Sequence, residues 1–506
     1  MRRFKHAFVT TCTCFVALAS VQCGQAGDTS ESDSSTLTIH VPGQDEHVLG
    51  PDGNSFWFLV FLGLAVDPEG TEDYQPRLLS RWEHTPDYTE WTVHLRDDVR
   101  WDDGVPVTAE DVKFSLDLWT NPNIWYEHRF YEGIEVLDSH TLQIRFAKPL
   151  AGTIFGYNWL PILPKHSLDS LKLEQFFSWQ FWVEPVGDGP YRYVKHIPST
   201  MTELEANPDY YGEQPSIPTV VLRFGGNVLT ELLSGNVDVA SEITPLEAVQ
   251  LATDPQFNIY HQIQYSNVFA IGWNHRNPLF RDADIRRALT MAIDRRELLR
   301  ILDYPDEIPI TDVPALTRHY VQGVVPAALP FDPERASQLF ASAGWVDTDN
   351  DDILEKNGQE FSFTLSINGK ESAQAIYIQN QLRRAGIRME IKTYDRSTLH
   401  ERTDQSHDFD AAIVPYYYIE AFGEFRRSGY DNPEAIRLRD AAWFTIDQKE
   451  VDRHLGDIWQ IFGEEIPITY LHPKVSFLAA HRRVKGLQNN KFLAETVENL
   501  WIEEDE

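Results

Sequence analysis

Apolar and polar residues alternate with a period of two over residues 91–96. Trp91, Val93 and Leu95 take one face and Thr92, His94 and Arg96 the other, which predicts a half-buried strand. Asp103-Gly104 is a turn pair, and Pro106 excludes a helix interior or a central strand there. The period then changes. Val112, Ser115, Leu116 and Trp119 fall on one stripe of a helix that Thr108 caps, with Asp111 as the acid of a capping box. A second stripe, Ala336, Leu339, Phe340 and Ala343, is opened by Asp332-Pro333 and stopped by Gly344. Ile285, Ala288, Leu289, Ala292 and Ile293 share one face of residues 284–302. A further helix over 371–386 ends at Gly386, and Ile387, Met389 and Ile391 then alternate as a strand. Helix, short loop and strand is the rhythm of an α/β protein.

The chain has 506 residues, room for roughly three domain-sized units, and a formal net charge of -33. That charge excludes a nucleic-acid partner, which requires a basic face. Arg2, Arg3 and Lys5 precede an uncharged stretch at 7–21, too short to span a bilayer and suited to the core of a signal peptide. Cys23 follows directly. This order predicts a signal peptide over 1–22, cleavage before Cys23, acylation of Cys23, and a flexible lipid-anchored tether over 23–35. The other two cysteines, Cys12 and Cys14, lie in the leader, so the body has neither an intramolecular disulfide nor a cysteine-based site.

Candidate chemistry is sparse. There is no GxSxG, HExxH or Walker loop, so no catalytic residue, enzyme activity or cofactor is assigned. Residues 347–358 place Asp347, Asp349 and Asp351 at positions 1, 3 and 5 of a calcium-type loop. Asp352 replaces the required glycine and Gly358 the bidentate glutamate, so the segment reads as an acidic surface turn and no metal site is assigned.

Several stretches together resemble one family. Residues 76–116, PRLLSRWEHTPDYTEWTVHLRDDVRWDDGVPVTAEDVKFSL, are similar to the N-terminal signature of the family 5 extracytoplasmic solute-binding proteins. These are the oligopeptide-, dipeptide- and nickel-binding components of ABC importers. GDGPYRYVKH (187–196), LLSGNVDVA (232–240), NPLFRDADIRRALTMAIDRRELL (277–299), FDPERASQLFASAGW (331–345), LRRAGIRMEI (382–391) and EIPITYLH (465–472) follow in the family's order. The resemblance implies an α/β, class II periplasmic-binding-protein-like fold, bilobal and in three parts. Lobe I would take 36–75 with 188–262 and 476–506, lobe II 76–187, and lobe III 263–475. Two hinge crossings would fall near 262 and 475. Ligand would sit between lobes I and III, and the closed form would dock on the transmembrane permease subunits of an importer driven by ATPase subunits. The implied protein is a monomer in the periplasm or extracytoplasmic envelope.

The resemblance also implies ligand-binding residues. The segment FDAAIVPYYYIEAFGEF (409–425) is similar to the family stretch that ends at the pocket, which nominates Tyr416, Tyr417 and Tyr418. The aspartate that pairs with a peptide ammonium in relatives corresponds to Ile419, with Glu420 next to it, so Glu420 is the candidate ammonium anchor. Trp273, Tyr394, Tyr470 and Glu46 complete the set, with Trp273 equally suited to a core. Arg286, Asp294, Asp102 and Asp111 match motifs and read as structural. The implied ligand is a peptide or similar small solute. A nickel complex, an oligosaccharide, a signal molecule, and an envelope receptor or chaperone role stay open.

Overall fold

The computed structural model describes residues 35–41, 56–66, 75–121, 131–149, 161–168, 172–313, 327–417, 425–490 and 497–503, with isolated Leu49, Ile124, Ser170 and Leu493. The expected signal peptide, Cys23 and the tether lie outside the described residues, as do Glu46, Tyr418 and Glu420. None of the described helices is long and apolar enough to cross a membrane.

Two long strands, Phe257–Trp273 and Ile468–His481, pair antiparallel at the centre of a ten-stranded mixed sheet. On one side the sheet continues through Val239–Ile243, Thr36–Val41, Thr219–Phe224, Met201–Ala206 and Tyr191–Ile197. On the other it continues through Ala411–Tyr417, Ser362–Asn368 and Arg388–Tyr394. Strand 411–417 is buried on both faces, as a covered central strand should be. Ala411 and Ile413 pack in one core with Ile271 and Trp273, while Ala412, Val414 and Tyr416 pack in another with Ala270 and Tyr470. A separate four-stranded sheet has the order Leu79–His84, Glu90–Leu95, Thr141–Phe146, Tyr131–Asp138.

The alternation at 91–95 forms as read, with Trp91, Val93 and Leu95 buried. Helix Ala109–Trp119 begins where the capping pattern puts it, and the Thr108 N–H donates to the Asp111 carboxylate at 2.8 Å. The other Asp111 oxygen accepts the Lys165 N–H at 2.9 Å, so this cap also anchors a distant segment. Asp332 caps helix Pro333–Ser342, and Gly344 leaves it in the left-handed region at φ +87°. The apolar face over 284–302 is divided into two helices, Ala283–Met291 and Arg295–Ile301. Asp294 causes the break by accepting the Glu297 N–H as a new N-cap. The turn at 347–355 brings the carboxylates of Asp347, Asp349, Asp351 and Glu355 together, all within 4.8 Å, where they accept N–H groups of their own loop.

Two buried polar groups lock the chain around this frame. Helix Gln448–Glu465 ends at Ile466, whose φ of +44° is costly for a β-branched residue. Arg286 holds that turn. Its Nε donates to the Ile466 carbonyl at 2.8 Å and its Nη2 to the Glu465 carbonyl, while Nη1 reaches the Phe280 and Arg281 carbonyls at 2.6 and 2.9 Å. The His275 ring adds a bond to the Pro467 carbonyl at 3.0 Å, and burial lowers that imidazole to about 4. In the other half, Gly187 and Gly189 press against the backbone of Leu59–Phe61. A Cβ on Gly187 would lie 2.0 Å from the Val60 carbonyl oxygen. Between these glycines Asp188 is fully buried. One oxygen accepts the Leu62 N–H at 2.9 Å and the other has no partner, and burial pushes the carboxyl up to about 8.

Arg286→Met leaves several buried carbonyls without a donor, so it should cost about 3 kcal/mol or more of stability, checked by urea unfolding. Arg286→Lys should recover only part of the loss, because one ammonium cannot reproduce the fork. Asp188 favours the fold when protonated. That contribution is complete below the unfolded value of about 4 and is lost as pH rises through 8. Asp188→Asn keeps the acceptor for Leu62, so unfolding measured between pH ~5 and ~8 should show a flatter profile and no loss of stability at the alkaline end.

Candidate functional site

The register of the central strands defines a single converging region. Strand 239–243 runs parallel to 36–41, which runs parallel to 219–224. All three advance toward the middle of the long pair, since Ile243 lies opposite Phe477 and Phe477 opposite His261. Strand 411–417 runs the other way, from Ala411 opposite Trp273 to Tyr417 opposite Asn267, with 362–368 and 388–394 parallel to it. The carboxyl ends of both parallel sets therefore meet at the same point. There the ladder of the long pair is broken, passing from Gln264–Lys474 directly to Val268–Pro473. Carboxyl ends of parallel strands are where α/β sheets hold ligands, because the connecting loops open a crevice there.

The first edge is built by His40, Gly225, Gly226, Ser241 and Glu242. The His40 Nε2 hydrogen bonds to the Gly225 carbonyl at 3.0 Å, which leaves its buried Nδ1 with no partner. Gly225 and Gly226 turn the chain with φ values of +70° and +80°. The Ser241 hydroxyl donates to the His40 carbonyl at 3.1 Å. Glu242 follows within a break in pairing between Ala240 and Ile243, with φ +56°, and its carboxylate is 4.0 Å from Lys474 Nζ.

Across the broken ladder lies a small open pocket, lined by Val268, Pro309, Thr311, Tyr470, Leu471, His472 and Pro473. Its walls are held from behind by Arg295, a buried guanidinium paired with buried Asp312 at 2.5 Å. Arg295 also donates to the carbonyls of Thr311 (2.9 Å), Tyr470 (3.1 Å) and Leu329 (2.9 Å). One side chain thus fixes segment 311–312, strand 468–481 and the approach to helix 333–342. His472 is buried between Phe269 and Tyr304, at ring-centre distances of 5.2 and 5.0 Å. Its Nδ1 donates to the Pro473 carbonyl at 2.8 Å, and Nε2 lies 2.8 Å from the Gln374 side-chain amide. Burial lowers this imidazole to about 4, so it is neutral at physiological pH. The Tyr470 hydroxyl is buried without a partner in the core shared with Tyr416, and burial raises it well above the usual phenol value.

The nominated residues fall in different places. Tyr470 lines the pocket. Trp273 is fully buried, with its indole N–H donating to Thr469 at 3.0 Å and its ring against Phe280 and Phe363. Tyr416 is buried with its hydroxyl over Gly272, where an added Cβ would lie 2.3 Å from it. Packing accounts for both positions. Tyr417 ends its strand opposite Asn267 at the ladder break. Tyr394 ends strand 388–394, half-buried, with the Arg402 guanidinium 5.0 Å from its ring centre. Sequence reading passed over Arg295, His472 and Glu242. Arg295 lay in the quoted motif AIDRREL, and its partner Asp312 gives no local signal.

The sequence profile of the bacterial extracellular solute-binding proteins, family 5 (middle region), matches residues 73–425. The oligopeptide-binding protein AppA of Bacillus subtilis is 27% identical over 442 residues, covering 81% of this chain and 80% of the relative. Among solved structures, B. subtilis AppA in complex with a nonapeptide superposes with a TM-score of 0.75 at 22% identity, covering 92% of this chain and 98% of that one. NikZ from Campylobacter jejuni in complex with Ni(L-His) gives a TM-score of 0.77 at 22% identity, covering 92% and 99%. The α/β bilobal binding-protein fold is therefore shared with these structures.

Tyr470→Phe removes a buried hydroxyl that has no partner. The protein should unfold at the same or a slightly higher temperature, read by differential scanning calorimetry.

Proposed function

The chain belongs to the family 5 bacterial extracellular solute-binding proteins, and we propose that it captures peptides or similar small solutes and delivers them to an ABC permease. The observation that carries this reading is the convergence of two sets of strand ends on one broken ladder. In the proposed arrangement lobe I (36–75, 188–262 and 476–506) and lobe III (263–475) each contribute one edge, and lobe II (76–187) buttresses lobe I. The crossings near 262 and 475 fall in the long pair, whose register places Gln262 opposite Ser476 and Ile263 opposite Val475. Ligand sits between the edges and is buried as they close. It supplies the free energy of closure by binding the closed form better than the open one. The peptide assignment draws on AppA, named as an oligopeptide-binding protein and solved with a nonapeptide. Acylation of Cys23 after removal of 1–22 would hold the protein at a membrane surface near the permease.

Burial slows ligand escape, so the purified protein should carry its ligand with it. Native purification followed by unfolding and mass spectrometry of the released small molecules should give a mixture of short peptides. A single sugar or a metal chelate in their place would overturn the peptide assignment.

A further inference from the structure

We propose that Phe444 and Lys148 form a latch between lobes III and II that holds the crevice closed and sets how long a captured solute stays bound. Its effect on release rests on the solute-capture reading above. Two observations carry it.

The first is an aromatic side chain on the far side of its own helix. Helix Pro433–Phe444 is held to lobe III by Ala435, Leu438 and Ala442, which pack in one core with Leu455, Ile458 and Trp459. Its cap Asn432 also donates to the Glu465 carboxylate at 2.9 Å. At about 100° per residue those three apolar residues share one stripe, and Phe444 falls on the opposite face. Phe444 packs instead against the core that joins Leu37 and Ile39 of lobe I to Val93 and Phe146 of lobe II. Of the described residues of 263–475, it alone packs there. The helix stops at this point, since Thr445 is extended at ψ 134°. The ring thus stands at the tip of an arm fixed in lobe III.

The second is what covers the ring. Lys148 Nζ lies 4.1 Å from the centre of the Phe444 ring, well inside the range of a cation–π contact. Lys148 stands two residues beyond Phe146, the buried end of strand Thr141–Phe146, so lobe II carries it on its own four-stranded sheet. Lys148 is exposed. A cation on a solvated ring is strong enough to bias an equilibrium and weak enough to break in every cycle of opening.

Neither residue belongs to the two long strands that join the halves of the sheet. The contact is a second bridge, made without backbone pairing, between segments that the proposed crossings let move apart. Rotation of lobe III about the broken ladder parts it. A contact made only in the closed form favours that form by its own free energy, in addition to what the ligand supplies. It therefore slows release whichever solute is bound.

The wild type, Lys148→Gln, Lys148→Arg and Phe444→Ala would each be loaded with a pool of synthetic tri- to nonapeptides and gel-filtered, and the retained peptide followed over time by mass spectrometry. Lys148→Gln should lose peptide roughly three-fold faster and Phe444→Ala roughly ten-fold faster. Lys148→Arg should match the wild type, because a guanidinium also stacks on the ring. Lys148 is exposed, so its variants decide the matter even where Phe444→Ala lowers the melting temperature. Unchanged release by Lys148→Gln overturns the latch. Equal acceleration by Lys148→Arg and Lys148→Gln also overturns it, since the cation would then not be the holding group. A wild type that retains no peptide refutes the peptide reading before any substitution is compared. The latch is then decided without peptide, by the spin-label distance between Ser234 and Ser397 in a chain with its cysteines replaced by serine. Lys148→Gln should lengthen and broaden that distance, and an unchanged distribution overturns the latch.

Discussion

Strands 257–273 and 468–481 hold this molecule together, and they do so with an interrupted ladder. One half of the sheet hangs from 477–481 through strand 239–243, and the other hangs from 267–273 through strand 411–417. Continuous pairing would weld the two halves into one plate. The jump from Gln264–Lys474 to Val268–Pro473 removes hydrogen bonds at the one place where both sets of parallel strands end. In the proposed arrangement the same break opens the crevice and lets its two sides separate. A local break in pairing is where a hinge costs least, because few backbone bonds must change when it bends.

Rigid anchors lie on either side of that compliant point. Arg286 gathers the carbonyls at the end of helix 448–465, just before strand 468–481 begins. Arg295 with Asp312 fixes the pocket wall a few residues later, through the Tyr470 carbonyl. On the opposite half, Asp238 accepts the Thr38 N–H at 2.8 Å and pairs with Arg483, joining strands 36–41 and 239–243 to the end of the second long strand. Each anchor is a buried or nearly buried charge satisfied by several partners, the condition under which such groups rigidify a core.

Local structure was legible in the sequence because its causes are local. The alternation at 91–95, the caps at Thr108 and Asp332, and the left-handed glycine at 344 depend on neighbours a few residues away. The break at Asp294 was missed because its apolar face continues through residues 292–293, and a cap inside a continuous stripe is masked by the periodicity. The site was less legible. Trp273 and Tyr416 have the composition of a pocket, yet a strand covered on both faces gives no alternation to tell a core face from a cleft face. His472, Arg295 and Glu242 acquire their surroundings from partners far away in sequence, and nothing adjacent to them announces those partners.

The most direct test of the hinge is a distance across it. All three native cysteines lie within the first 23 residues, so a chain with these replaced by serine accepts spin labels at two chosen positions. Exposed Ser234 lies on the side of strand 239–243, and exposed Ser397 follows strand 388–394. Pulsed electron–electron distance measurements on the doubly labelled protein should give a longer separation without peptide and a shorter, narrower one at saturation. An identical distance distribution in both states would contradict a hinge at the broken ladder.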